Sequence, residues 1–255
     1  MDLSLTSDQT AILDALDAMV RPFEAMPIGA TGFALTSADL DRELASSGFL
    51  DVGFDRDLGP VTAALVVERL ARLPYATEAA LGALIGPLLG EGIARPLCVI
   101  EMGQHYRPLR FLAEGATLVV VGETVTTHAI AADQVRAEPD SLFAYPMASL
   151  LVDPARLAGT PHDVSPDLLR THWRIALAAE AAGLLAAALE VTCTYLAERQ
   201  QFGRPLATFQ ALRHRLAEAQ VRTNGVRWLA LKAAATLDAG DAALALLHAR
   251  KRRGR

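Results

Sequence analysis

Apolar residues recur at helical spacing over most of the first 95 residues. After Ser7 they follow at steps of three and four until Pro22, which predicts one amphipathic helix. The same spacing predicts a second helix near residues 37–47 and a third near residues 61–73. We therefore expect residues 1–95 to form an N-terminal helical domain.

The period of the pattern changes after residue 95. Residues 97–100 and 117–121 are short runs rich in β-branched residues, bounded by glycine and polar residues, and they predict strands. Three further segments are expected to be short strands: residues 124–126, 134–136 and 149–152. Together these runs predict a small β domain over residues 96–160.

The strongest helix signal lies in the last third of the chain. Ser165 followed by Pro166 predicts a helix start, and the apolar pattern continues for about 30 residues to near Arg199. A second long helix follows after a break, and residues 242–248 begin a third. Two long antiparallel helices need a bundle around them. We expect residues 161–255 to form an incomplete helical bundle, with the first long helix buried on several faces, including a subunit contact.

Composition narrows the class of protein. The 255 residues are 52% hydrophobic, 21% charged and only 5% aromatic, which favours a folded, helix-rich chain. A net charge of -5 argues against nucleic acid as the main partner, and the basic residues 250–255 are expected to be a solvated end. The six histidines lack metal-ligand spacing, so no metal site is expected.

Three further observations concern the compartment. Two cysteines are too few for a disulfide framework, which is typical of a reducing cytoplasm. The N-terminus carries no positive region before an apolar core, so no signal peptide is expected. The apolar stretches at residues 79–90 and 175–189 fall short of about 20 residues, the length of a membrane span. We expect a soluble, cytoplasmic protein.

The candidate chemistry lies between the two long helices. Arg199 stands at a helix end before a tight turn, where a guanidinium can grip a diphosphate with two parallel hydrogen bonds. Gln201 and Gln210 offer amide groups for ribose or adenine edges, and Phe202 and Phe209 offer flat apolar surfaces. The alternative is a plain helix end with an exposed arginine.

The spacing Arg-x-Gln-Phe-Gly from Arg199 to Gly203, with Phe209-Gln210 one turn into the next helix, resembles the C-terminal signature of the acyl-CoA dehydrogenase family. A weaker resemblance covers the N-terminal helices, including residues 66–72. The family implies a mostly α fold with a β module between two helical domains. It also implies that FAD binds across a subunit interface, with five residues contacting it: Arg199, Gln201, Phe202, Phe209 and Gln210. The implied reaction is α,β-dehydrogenation of an acyl-CoA thioester.

Three departures from the family pattern limit what the resemblance implies. The two middle-domain segments that cover the flavin ring in the family are absent, and the β module is about half the usual size. The family's catalytic carboxylate lies either past a Gln-x-x-Gly-Gly motif that this sequence lacks or early in the first long helix. Trp173 occupies the latter position. Glu180 lies two turns later and is the remaining candidate base, although a polar contact inside the bundle or at an interface is the favoured role.

The resemblance therefore implies a non-catalytic partner in a heteromeric acyl-CoA dehydrogenase. Such enzymes divide the duties between unlike subunits, and some act on steroid or terpenoid side chains. We expect a heterotetramer with a catalytic subunit, which would bind the acyl-CoA through the complex. Two alternatives remain: an active homo-oligomer with an unrecognised base, and a non-enzymatic interaction or remnant protein. The change to a basic tail also leaves open a truncated reading frame.

Overall fold

The fold is described from a computed structural model. It describes residues 4–27, 29, 33–104, 107–139 and 141–250. Three sequence expectations fall wholly or partly outside the described residues: the N-terminal start, His105 and the basic tail beyond Arg250.

Helices occupy both ends of the chain, with the strands between them. Within the described residues there are eight α-helices: α1 Ser7–Val20, α2 Ala38–Ser47, α3 Gly59–Leu70, α4 Ala80–Leu84, α5 Gly86–Leu89, α6 Pro166–Glu198, α7 Gln210–Thr236 and α8 Ala239–Arg250. The predicted fold class, mostly helical with a small β module, is confirmed. The helix α8 is longer than the expected residues 242–248, because Asp238 accepts a bond from the Asp241 amide and so caps an extra turn.

Local signals explain where the long helices begin. Thr6 and Gln9 exchange side-chain-to-backbone hydrogen bonds of 3.2 and 3.1 Å, which form a capping box at the start of α1. Ser165 occupies the N-cap position of α6 as predicted, but its side chain accepts no capping hydrogen bond. Pro166 supplies the start instead, because its fixed φ suits the first helical position and it has no amide hydrogen to satisfy.

The strands form two small sheets and a separate hairpin. The described strands are β1 Leu97–Glu101, β2 Leu109–Arg110, β3 Thr117–Val121, β4 Val125–Ala129, β5 Val135–Ala137, β6 Met147–Leu150, β7 Thr160–His162, β8 Gln200–Gln201 and β9 Arg204–Pro205. The first sheet has the order β1-β3-β4-β7, in which β1 and β3 are parallel, and the second has the order β2-β6-β5. Sequence analysis missed β2 and β7, which are two and three residues long and carry no alternating pattern of their own.

Strands β1 and β3 of the first sheet are buried on both faces. Val119 and Val121 of β3 join the large core made by the helices, while Leu118 and Val120 face a smaller core shared with the second sheet. This alternation follows from the two-residue period of a strand. The sheet therefore links the small β module to the helical core.

Only the first half of α6 lies in the interior of the fold. The helix packs against α3, α4, α7 and α8, and its first half, from Leu169 to Gly183, is largely buried. Gly183 allows the closest approach, since a Cβ there would lie 2.2 Å from the Glu68 carbonyl oxygen of α3. In the second half Val191 and Tyr195 are exposed. The expected burial on several faces therefore holds for the first half.

By length and composition, α6 is a helix that could cross a membrane. The sequence expectation that its apolar run was too short is wrong, because the helix is 33 residues long and stays apolar on both sides of Glu180. Of its most apolar window, 44% is buried inside the structure. A buried helix at the centre of a bundle meets the same criteria.

Candidate cofactor corner and buried ion pair

A tight hairpin joins α6 to α7. Strands β8 and β9 pair Gln201 with Arg204, and the two-residue loop between them is Phe202-Gly203. Both loop residues have positive φ, 53° and 75°, as a type I′ turn requires. Glycine adopts this conformation freely, but a bulky residue such as Phe202 is strained there by roughly 1–3 kcal/mol. Such strain tends to occur where a side chain must be presented in a fixed direction.

The hairpin gathers polar side chains on one face. Arg199 and Gln201 are two residues apart and therefore point to the same side, and Arg204 lies directly opposite Gln201. The ladder continues beyond the strands, since the Leu206 amide donates to the Arg199 carbonyl oxygen over 2.8 Å. Two guanidinium groups and one amide group therefore share a face.

Aromatic rings lie beside these polar groups. Phe209 is the N-cap residue of α7, and its ring lies 4.2 Å from the guanidinium carbon of Arg204. The Phe202 ring is 89% exposed and meets Phe209 edge to face at 6.2 Å between centroids. The amide nitrogen of Gln210 is 3.5 Å from His214, at the limit of a hydrogen bond.

The structure brings all five residues of the predicted cofactor set to this corner. Four are exposed, and Phe209 is half-buried. Among the described residues, no carboxylate forms an ion pair with Arg199 or Arg204. Their donors are open to solvent, which suits an anion that also carries a flat ring. Sequence reasoning did not single out Arg204, because its contact with Phe209 depends on the turn geometry.

Glu180 lies elsewhere, in the buried half of α6. Its carboxylate is ion-paired with the guanidinium of Arg110 on β2. Burial raises the pKa of the neighbouring Tyr145 to about 12, and the negative charge of Glu180 acts in the same direction. Burial lowers the pKa of Arg110, but the charge and hydrogen bond of Glu180, together with Tyr145 and Glu78, raise it, so its net pKa is above the usual value. Glu180 thus makes the polar contact inside the fold that sequence analysis favoured.

Two cavities flank Tyr145. One, of about 160 Å³, is lined by Glu180 and Leu184 of α6 together with apolar residues of the N-terminal domain. The other, of about 290 Å³, is lined by Arg110 and by Trp173, the residue at the position of the family's early-helix base. Both cavities are mainly apolar, and the Glu180–Arg110 pair lies between them. Sequence analysis did not single out Arg110 or Tyr145, because β2 is only two residues long and Tyr145 lies in a loop.

A second buried carboxylate joins the N-terminal helices to the β module. Glu78 accepts hydrogen bonds from the Gly82 amide over 3.0 Å and from the Leu97 amide at the start of β1 over 3.1 Å. Burial raises its pKa to about 7, while the two amide bonds and the nearby Arg110 and Arg95 lower it. Sequence analysis missed this residue, since nothing near Glu78 in the chain indicates a distant strand amide as its partner.

No group of three or more histidine, cysteine, aspartate or glutamate residues that could hold a metal occurs in the described part of the chain. The buried His172 instead uses its Nδ1 to bond the Leu84 carbonyl oxygen over 2.9 Å. Burial lowers the pKa of His172.

Comparison with known proteins places these features in context. Residues 170–253 match the model of the acyl-CoA dehydrogenase C-terminal domain. The acyl-CoA dehydrogenase IpdE2 of Mycolicibacterium smegmatis is 31% identical over 196 residues, which cover 72% of this chain and 60% of that protein. The chain thus spans less than two thirds of the length of this relative.

Two solved structures share the fold. Butyryl-CoA dehydrogenase from Megasphaera elsdenii superposes with a TM-score of 0.65 at 19% identity, covering 98% of this chain and 85% of that one. A chain of the ChsE4–ChsE5 complex from Mycobacterium tuberculosis superposes with a TM-score of 0.60 at 19% identity, covering 98% and 83%. At these identities the likeness is one of fold.

Proposed function

This chain belongs to the acyl-CoA dehydrogenase family, and we propose that it is a non-catalytic subunit of a heteromeric acyl-CoA dehydrogenase. In this proposal its hairpin corner contributes part of an FAD site to the neighbouring catalytic subunit. The observation that carries the proposal is the corner itself, where Arg199, Gln201 and Phe202 are exposed.

The donor set of the corner fits the adenosine diphosphate end of FAD. Arg199 offers a planar fork of N–H donors that matches two phosphate oxygens. Gln201 and Gln210 can bond ribose or adenine edges, and Phe202 and Phe209 offer apolar surface to a ring. When bound, FAD supplies the redox chemistry of dehydrogenation. The role of these residues is to bind and orient it.

A partner subunit would also cover apolar surface that this chain leaves exposed. Val191 and Tyr195 on the second half of α6, and Val221 and Trp228 on α7, are all exposed. Exposed apolar groups of this size are typical of an interface. A heterotetramer with a catalytic acyl-CoA dehydrogenase chain, which would bind the acyl-CoA, is the proposed assembly.

The two residues considered as positions for the catalytic base, Glu180 and Trp173, support the non-catalytic assignment. The carboxylate of Glu180 accepts a hydrogen bond from Arg110, which occupies a lone pair that could otherwise accept a substrate proton. Trp173, at the other position, has no proton-accepting group. An active homo-oligomer would need a base from outside these positions.

The test is flavin retention by a co-expressed complex of this chain with a full-length acyl-CoA dehydrogenase chain. Arg199→Ala removes a charge-assisted contact worth on the order of 1.5–3 kcal/mol, so FAD affinity should fall roughly tenfold to a hundredfold. Arg56→Ala is the matched control, because Arg56 is exposed in the N-terminal domain. Unchanged flavin absorbance in the Arg199 variant would contradict the proposal.

A further inference from the structure

We propose that Arg204, held over the ring of Phe209, is the second cation of the corner and positions a diphosphate together with Arg199. The inference rests on the proposed function and deepens it, because it assigns the corner a preference for two phosphates over one. Arg204 acts here as a binding residue that the matched family spacing does not specify.

Arg204 is opposite Gln201 in the hairpin, and Arg199 lies two residues before Gln201 on the same strand side. Diagonal neighbours of this kind across a strand pair are about 7–8 Å apart. Side chains as long as arginine can converge over that separation on one ligand. The two guanidinium groups can therefore each take one phosphate of a diphosphate.

The guanidinium of Arg204 stacks on Phe209, which is itself braced by the edge of Phe202. A stacked arginine loses less conformational freedom when it binds than a free one. Arg199, by contrast, has no aromatic contact among the described residues. Arg204 is thus the fixed cation of the pair.

Within the described residues, neither Arg199 nor Arg204 is neutralised by an ion pair with a carboxylate, so the hairpin face carries two like charges. Like charges on neighbouring strands repel, and an anion between them relieves this repulsion. A ligand with two or more negative charges gains more from such a face than a monoanion does.

The strained turn provides the geometry for the stack. Phe202 adopts a φ of 53° in the loop, and its ring reaches Phe209 from that position. A glycine there would relax the turn but would leave Phe209 without its edge contact. The strain is therefore tied to the support of the ring on which Arg204 lies.

The experiment measures binding of ADP, AMP and adenosine to the flavin-free complex and to the full chain. Arg204→Gln should weaken ADP binding at least about fivefold, weaken AMP binding less and leave adenosine binding unchanged. Arg204→Lys should restore part of the ADP affinity, because it returns the charge without the planar fork. Arg56→Gln, an exposed change of equal charge, should leave all three affinities unchanged.

A double-variant cycle tests the stack. Phe209→Leu should weaken ADP binding when Arg204 is present and have little further effect in the Arg204→Gln background. If the wild-type complex binds FAD and ADP, and Arg204→Gln leaves both affinities unchanged, this inference is wrong and the proposed function still stands. A wild-type complex that binds neither would overturn both. Equal losses for ADP and adenosine would contradict a role for the charge of Arg204.

Discussion

The carboxylate of Glu180 on α6 is ion-paired with the guanidinium of Arg110 on β2, and both side chains are largely withdrawn from solvent, at 9% and 21% exposure. Tyr145 lies against Arg110, with its ring centroid 5.1 Å from the guanidinium carbon. The pair joins the three-stranded sheet to the central helix. Glu180 therefore has a structural partner inside the fold.

The ion pair leads to a stability prediction. Glu180→Gln should lower the free energy of unfolding by about 3 kcal/mol, since it leaves the charge of Arg110 buried without its counter-charge. Arg110→Met should have a similar effect through the stranded carboxylate. The double variant Arg110→Met with Glu180→Gln should cost far less than the sum of the two single changes. Chemical denaturation of the four proteins measures this, and additive single effects would show that the two residues are not coupled.

The contact between α3 and α6 leads to a second prediction. Gly183→Ala should destabilise the fold by about 3 kcal/mol, because the new Cβ would be forced against the Glu68 carbonyl oxygen and the Ala71 side chain. Gly225→Ala on α7 is the matched control. A Cβ there meets nothing within 4 Å, so it should stabilise the helix by about 0.5–1 kcal/mol. Thermal unfolding distinguishes the two, and equal shifts would contradict the close approach.

Glu78 leads to a prediction about pH. Its pKa rises from 4.5 to about 7 on folding, so folding favours its protonated form. Its contribution to stability is complete below pH 4.5 and is lost as the pH rises through about 7. Burial lowers the pKa of His128 and of His172. Their contribution to stability therefore changes in the opposite direction and is lost as the pH falls below 6.5.

The comparison with Glu78→Gln isolates this group. Glutamine is neutral throughout, but it has only one acceptor oxygen for the two backbone amides of Gly82 and Leu97. The variant should be less stable overall. The difference in free energy of unfolding between the wild type and this variant should shrink between pH 4.5 and 7. A difference that is constant over this range would show that Glu78 does not titrate within it.

The turn strain leads to a fourth prediction. Phe202→Gly should raise the free energy of unfolding by about 1 kcal/mol. This net gain is the strain energy relieved at positive φ minus the entropic cost of ordering a glycine, which is freer in the unfolded chain. The same change should weaken FAD binding by the complex, because an exposed ring is lost. A variant that is less stable than the wild type would contradict the strain.

Much of the fold follows from the sequence. The apolar spacing that predicts α1, α2, α6 and α7 reflects one buried face per helix, and the β-branched runs predict β1, β3 and β4. Short strands such as β2 are held by their neighbours rather than by their own residues. The half-exposed state of α6 also escapes the sequence, because an apolar composition predicts burial without saying which chain provides it.

The candidate site likewise has a part that the sequence predicts and a part that it does not. The spacing from Arg199 to Gln210 identifies a corner because those residues are close in the chain. The stack of Arg204 on Phe209 depends on the positive φ of Phe202 and Gly203, which the phenylalanine does not signal. The pairing of Glu180 with Arg110 joins residues 70 positions apart. Such contacts depend on the packed fold.

Native mass spectrometry of the chain alone and of its co-expressed complex tests the central claim most directly. If the corner completes an FAD site only with a catalytic partner, FAD should be retained by species that contain both chains. The chain alone should be colourless and should dehydrogenate no acyl-CoA when FAD is added. A flavin-loaded species made only of this chain, with turnover that Glu180→Gln abolishes, would contradict the account.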